Sequence, residues 1–193
     1  LAARLTDVGI PTTYEEARKT YVGLSMKTCM GLFAEKLGRP LPDEWLDQLQ
    51  AQTMAEFERS LEPIAGVRAL IESVHRAGIP YCVASSGEPD KIRFSLGLTD
   101  LLSFFEGRIF SATMVERGKP SPDLFLHAAR QMGAEPLECV VIEDSVPGVQ
   151  AAISASMRTI GYVGDPHTDR NALGLLGAEL VEHMDAIHPL LRL

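Results

Sequence analysis

Three short segments carry the residues with chemical potential. Ser85-Ser86-Gly87 follows the run Tyr81-Cys82-Val83-Ala84. Hydroxyls and free backbone N–H groups at a strand-to-helix turn suit a phosphate oxygen. The same serine would also serve as an ordinary N-cap for the next helix. Gly118-Lys119-Pro120-Ser121-Pro122-Asp123 frames a single lysine between Gly and Pro. A cation on a stiff loop offsets charge on a phosphoryl group or orients a carboxylate; a surface lysine in a turn is the alternative. Glu143-Asp144-Ser145 ends the apolar run Val140-Val141-Ile142. Two adjacent carboxylates at the end of a buried strand repel each other and lose hydration. A hard divalent cation such as magnesium relieves both effects, and an N-cap Asp beside an exposed Glu is the other reading.

The elements that must position these residues change character along the chain. The first third reads as helices: Tyr14 to Leu37, interrupted near Gly23 and Gly31, and Asp43 to Leu61 after Pro40 and Pro42. In the second stretch Trp45, Leu46, Leu49, Met54, Phe57 and Leu61 recur at mostly helical spacing. Beyond Pro63, short apolar runs alternate with amphipathic segments. Strands are expected at 81–84, 108–111, 139–142, 159–163 and 179–181. Helices are expected at 66–77, 89–96, 122–132 (with Ser121 as N-cap) and 146–156. Alternation of this kind implies a parallel sheet covered by helices on both faces. Ligands bind such sheets beyond the carboxyl ends of the strands, which is where Ser85, Glu143–Asp144 and Gly164-Asp165 fall. Asp165-Pro166-His167 reads as a structural turn or as part of the rim of the site.

Bulk properties narrow the function classes. The chain has 193 residues, enough for one core domain and a small accessory lobe. Its net charge of −8 and lack of basic runs argue against a nucleic-acid partner. No apolar run approaches the roughly 20 residues needed to span a membrane, and Leu1-Ala2-Ala3-Arg4-Leu5 does not read as a signal peptide. Cys29, Cys82 and Cys139 are widely spaced and form no zinc pattern. Cys82 and Cys139 are expected to be buried free thiols, and a reducing, cytoplasmic compartment follows.

Taken together and in this order, the segments resemble the haloacid dehalogenase-like hydrolases, in the subfamily with a helical cap. Val83-Ala84-Ser85-Ser86 resembles that family's second motif and Gly118 to Phe125 its third. Val141-Ile142-Glu143-Asp144-Ser145 and the residues on to Ala152 resemble its fourth. The resemblance implies an α/β fold: a Rossmann-like three-layer core at 63–193 with an α-helical cap at 1–62. It implies that Ser85, aided by the N–H of Ser86, binds the transferring phosphoryl group and that Lys119 neutralises it. Asp144 with Glu143 would hold Mg2+. Gly23-Leu24-Ser25-Met26-Lys27 resembles the cap turn over the substrate, and Lys27 is either a substrate contact or a solvated helix residue.

The family's first motif, Asp-x-Asp-Gly, supplies the nucleophile and the acid/base. It does not occur in the chain. The first core strand, which would lie between the strands ending at Ser85 and Glu143, is expected ahead of Leu1, and these residues alone are expected to be inactive. The implied activity is Mg2+-dependent hydrolysis of a small phosphorylated metabolite, a sugar phosphate or phospho-acid, by a monomer or weak homodimer. A phosphomutase of the beta-phosphoglucomutase kind shares the three motifs. A noncatalytic binding protein on the same scaffold is the alternative from another class. The Glu143-Asp144 pair counts against a metal-independent dehalogenase.

Overall fold

The computed structural model describes residues 1–191. The helical block contains α1 (Ala2–Asp7), α2 (Tyr14–Tyr21), α3 (Met26–Leu37) and α4 (Trp45–Ser60). A capping box starts α2: Thr13 Oγ1 accepts from the Glu16 N–H, and Glu16 Oε2 accepts from the Thr13 N–H at 2.7 Å. Gly23, at φ +87°, turns the chain in a conformation that L side chains disfavour, and the Ser25 hydroxyl then caps α3. The interruption expected at Gly31 does not occur, and α3 runs straight through it. A lone glycine costs a helix only about 1 kcal/mol, and burial of Cys29 and Phe33 on either side offsets that. Leu5, Tyr21, Phe33, Trp45 and Leu49 form the centre of this block. Edge-to-face contacts link Tyr21 to Phe33 at 4.9 Å and Phe33 to Trp45 at 5.6 Å. The short α1, which carries the fully buried Leu5, has too few residues to show a helical period in sequence.

From Val67 the chain alternates: α5 (Val67–Arg76), β1 (Val83–Ser85), α6 (Pro89–Leu98), β2 (Ile109–Ser111), α7 (Asp123–Met132), β3 (Val140–Glu143), α8 (Val146–Ser154), β4 (Arg158–Tyr162), α9 (Arg170–Leu175), β5 (Glu179–Val181) and α10 (Ile187–Leu191). The strands form two parallel ladders, β1–β2 and β3–β4–β5. Val83 pairs with Ile109 and Ser85 with Ser111; Ile142 pairs with Ile160, which in turn pairs with Glu179.

Strand alternation sorts side chains to two faces. Ile109 packs with Ile71 of α5 and Ile92 of α6, whereas the adjacent Phe110 packs with Leu124 and Ala128 of α7. Ile160 joins Leu70 of α5 and Ile187 of α10, while Val141 joins Phe125 of α7 and Ala151 of α8. Helices therefore cover both faces, giving the three layers expected. Val140 and Ile142, on the opposite face of β3 from Val141, remain 36 % and 38 % exposed.

Two local expectations change. α7 begins at Asp123, and the Ser121 hydroxyl donates to Asp123 Oδ1 at 2.7 Å instead of capping the helix. All three thiols are free, but only Cys29 is buried. Cys82 and Cys139 precede β1 and β3 and are half-buried. Burial pushes the thiols of Cys29 and Cys82 up to about 11. Among the described residues, no helix is long and apolar enough to cross a membrane.

Candidate active site

The carboxyl ends of β1, β2 and β3 bring the chemistry together. After β1 the chain turns so that Ser85 Oγ accepts from the Gly87 N–H at 3.1 Å, which leaves the hydroxyl proton of Ser85 to donate. Ser111, fully buried at the end of β2, donates its hydroxyl to the Gly87 carbonyl at 2.7 Å. It ties the two strand ends together. Ser111 was not singled out in the sequence, where a lone serine closing a three-residue strand has no pattern.

Lys119 is buried, with 5 % of its side chain exposed. Its Nζ lies 2.6 Å from Glu143 Oε2 and 4.8 Å from the centroid of the Phe125 ring, so a carboxylate and an aromatic face both stabilise the charge. The loop carrying it is clamped from outside. Arg117 donates Nε and Nη2 to the two carboxylate oxygens of Asp123, both at 2.9 Å. This bidentate pair and the Ser121 hydrogen bond hold the Asp123 carboxyl below its ordinary value. Asp123 lay inside the recognised segment, but its partner Arg117 did not stand out.

Glu143 is committed inside the protein. Its Oε1 accepts from the Ser145 N–H at 3.1 Å and the Ser145 hydroxyl at 2.7 Å. Burial alone would push this carboxyl up, but the Lys119 ammonium and the Lys119 and Ser145 hydrogen bonds outweigh it and hold the carboxyl below the ordinary value. The Ser145 hydroxyl in turn accepts from the Gly148 N–H at 3.1 Å and caps α8. Asp144 differs. Its carboxylate is open to solvent on one side and enclosed by protein on the other. It accepts no hydrogen bond from another of the described residues. Burial, followed by repulsion from Glu143, pushes its carboxyl up. An uncompensated carboxylate beside an ion pair fits a hard cation. Among the described residues no set of three His, Cys, Asp or Glu side chains converges on one point.

The helical block reaches these residues. Ser86 donates its hydroxyl to the Gly23 carbonyl at 2.7 Å, so this hydroxyl meets the turn after α2. Lys27 lies in the first turn of α3, exposed, and makes no hydrogen bond or ion pair among the described residues. Asp165 forms a turn by accepting from the His167 N–H at 2.8 Å, and its other oxygen lies 3.2 Å from Arg18 Nη2 on α2. A depression of about 440 Å³ in the helical block, lined by Arg4, Asp43 and Trp45 among others, contains none of the site residues.

A family model described as haloacid dehalogenase-like hydrolase matches residues 1–156. The chain belongs to the haloacid dehalogenase-like hydrolases. Several relatives carry phosphatase names. The 6-phosphogluconate phosphatase of Escherichia coli K12 is 30 % identical over 83 % of this chain and 72 % of its own length. The probable pseudouridine-5'-phosphatase of Drosophila melanogaster is 33 % identical over 84 % of this chain and 76 % of its own length. Among solved structures, a haloacid dehalogenase-family hydrolase from Deinococcus radiodurans R1, with bound phosphate and sodium, superimposes with a TM-score of 0.72 at 28 % identity, covering 98 % of this chain and 85 % of that one. Within the chain, the Lys119–Glu143 pair joins the Lys119 loop to the end of β3, and the Gly23 turn meets Ser86 beyond β1.

Proposed function

We propose that this chain supplies the phosphate-binding and charge-neutralising part of a Mg2+-dependent phosphatase for a small phosphorylated metabolite, a sugar phosphate or phospho-acid. The observation that carries the reading is the buried Lys119–Glu143 pair beside the Asp144 carboxylate at the end of β3, with the Gly23 turn reaching both Ser86 and Ser145. In this reading residues 1–62 act as a cap over a core at 63–193.

Ser85 Oγ and the Ser86 N–H donate to phosphoryl oxygens. Lys119, oriented by Glu143, offsets the negative charge that gathers on the phosphoryl group. Asp144, with Glu143, would hold Mg2+ directly or through water. Bound Mg2+ would screen the phosphoryl oxygens and align the group for attack. The nucleophile is proposed to be an aspartate ahead of Leu1, on a strand between β1 and β3. The unpaired edges of those two strands and the exposure of Val140 and Ile142 support that placement. An oxygen of that aspartate forms a bond to phosphorus as the ester P–O bond breaks, and the departing alkoxide takes its proton from the second aspartate of the Asp-x-Asp segment, which recovers one from the water that attacks next. Water then cleaves the acyl phosphate to give inorganic phosphate and the free aspartate. Free thiols at three positions fit a reducing, cytoplasmic setting.

The test is turnover of a panel of sugar phosphates and phospho-acids, with and without Mg2+, by protein that includes the Asp-x-Asp segment. Release of inorganic phosphate that requires Mg2+ supports the phosphatase. Conversion of a sugar 1-phosphate to its 6-phosphate without net phosphate release would replace it with a mutase. No turnover of any substrate by that protein would overturn the enzymatic reading.

A further inference from the structure

Two separate sets of contacts join the helical block to the strand ends. In the first, the turn after α2 rests on the site itself. The Gly23 carbonyl accepts from Ser86 Oγ. A Cβ placed on Gly23 would lie 2.5 Å from Ser145 Oγ, and one placed on Gly118 would lie 3.5 Å from Ser25 Cβ. The segment from Gly23 to Ser25 therefore touches the Ser85–Gly87 turn, the loop that carries Lys119 and the residue that orients Glu143.

The second set lies on α2 just ahead of that turn. Arg18 Nη2 lies 3.2 Å from Asp165 Oδ2, in the loop that follows β4, and Arg18 Nη1 donates to the Tyr14 hydroxyl at 3.3 Å. The Tyr14 ring meets the His167 ring edge-on at 5.6 Å, and Glu15 Oε1 lies 3.6 Å from His167 Nδ1. Asp165 and His167 are locked to each other because the His167 N–H donates to the Asp165 carboxylate at 2.8 Å. One helix therefore carries both the contact to Asp165–His167 and, at its end, the turn over the strand ends.

The character of the second set is that of a contact that opens. Arg18 engages Asp165 through one nitrogen only, its Nε is buried without a partner, and the two side chains remain 26 % and 36 % exposed. The fully bidentate pair between Arg117 and Asp123, both in the Lys119 segment, is the contrast. An unmet buried donor and partial solvation both offset the attraction.

We propose that Arg18 and Asp165 form a clasp that holds the Gly23–Ser25 turn over the strand ends and so governs entry and exit of the phosphorylated ligand. Both are positioning residues, and neither touches the transferring group in this assignment. The kinetic half of the inference rests on the phosphatase reading; the clasp itself does not. Hydrogen exchange followed by mass spectrometry on the full-length protein reads the clasp without turnover. Exchange in a peptide covering residues 22–28 should rise about tenfold in Arg18→Ala and in Asp165→Ala. It should return towards the parent rate in the charge-swapped Arg18→Asp/Asp165→Arg protein, and stay at the parent rate in Arg59→Ala, whose exposed ion pair with Glu56 lies within α4. With an active enzyme, KM should rise about tenfold in the two single variants while kcat stays within about twofold. Parent-like exchange in both single variants, or a swap no better than either, would overturn the clasp. If the parent protein lacks turnover but exchange responds as expected, the phosphatase reading fails and the clasp stands. A single variant that does not fold leaves the decision to the other single variant and the swap.

Discussion

Lys119 Nζ and Glu143 Oε2 lie 2.6 Å apart with only 5 % and 10 % of their side chains exposed, which makes each the condition for burying the other. Removing one partner of a buried pair leaves an uncompensated charge at a cost of about 3–5 kcal/mol. Lys119→Met should lower the unfolding free energy measured in urea by that amount. Lys119→Met/Glu143→Gln should recover most of it, because the Gln carbonyl oxygen still accepts from Ser145. The sign with pH follows from the depressed Glu143 carboxyl. The pair's contribution is present above the ordinary glutamate value of 4.5 and is lost as pH falls through the lower folded value. The gap between parent and Lys119→Met should therefore narrow in acid. Equal midpoints at neutral pH would show that the pair stabilises nothing. Turnover should be lost in Lys119→Ala even where the protein remains folded.

Asp144 carries the opposite sign. Its carboxyl is pushed up, so its charge opposes folding increasingly as pH rises through the folded value. Asp144→Asn should raise the melting temperature of the metal-free protein at neutral pH. The gain should be at most about 1 kcal/mol, since solvent screens a carboxylate open on one side, or up to about 4 °C for a chain of this size. Millimolar Mg2+ should stabilise the parent by mass action, and the same change should abolish that response and turnover with it. In the parent, stabilisation by Mg2+ should fade on acidification at a pH above the ordinary aspartate range, because protons compete for the same oxygens. Thermal melts across pH with and without Mg2+ check all of this. An Asp144→Asn protein that still responds to Mg2+ would place the metal elsewhere.

Much of this arrangement was legible in the chain. The run Val140-Val141-Ile142 followed by two acids marked a strand end and its charge, because a period-free apolar run needs cover on both faces. Gly118 and Pro120 marked a constrained lysine. The partner choice among these residues was not legible. Glu143 and Asp144 are chemically alike in sequence, and only the fold turns one inward to Lys119 and Ser145 and leaves the other open. Asp165 stood at an expected strand end, but nothing local pairs it with Arg18, 147 positions away. The continuity of α3 through Gly31 was missed for the same reason: packing of Cys29 and Phe33 decides it, not the propensity of one residue.

Gly148 tests how closely Glu143 is held. A Cβ there would fall inside the Glu143 carboxyl group, which its hydrogen bonds to Lys119 and Ser145 prevent from moving away. Gly148→Ala lies in the first part of α8, where alanine would otherwise favour the helix by roughly 1 kcal/mol. The prediction is the reverse: a loss of about 1–3 kcal/mol from overpacking, measured by urea unfolding. Gly148→Ala/Glu143→Ala should lose less than the sum of the two single changes, since the clash disappears with the carboxylate. A stabilised single variant would mean that Glu143 swings aside freely and does not orient Lys119.

Gly23 tests the seat of the cap turn. Its φ of +87° disfavours any L side chain, and the added Cβ would also press on Ser145, which is buried and holds both Glu143 and the start of α8. Ser145 cannot retreat without giving up those bonds, so the turn must lift instead, breaking the hydrogen bond from Ser86 to the Gly23 carbonyl. Gly23→Ala should therefore cost about 1–3 kcal/mol through backbone strain and displacement. In an active enzyme it should raise KM more than it lowers kcat, because the strand-end residues remain in place. Gly38, also at positive φ but with nothing within reach of an added Cβ, provides the control for strain alone. Gly38→Ala should lose stability from strain without a change in KM. If the two alanine variants behave alike in both measurements, the turn does not rest on the site.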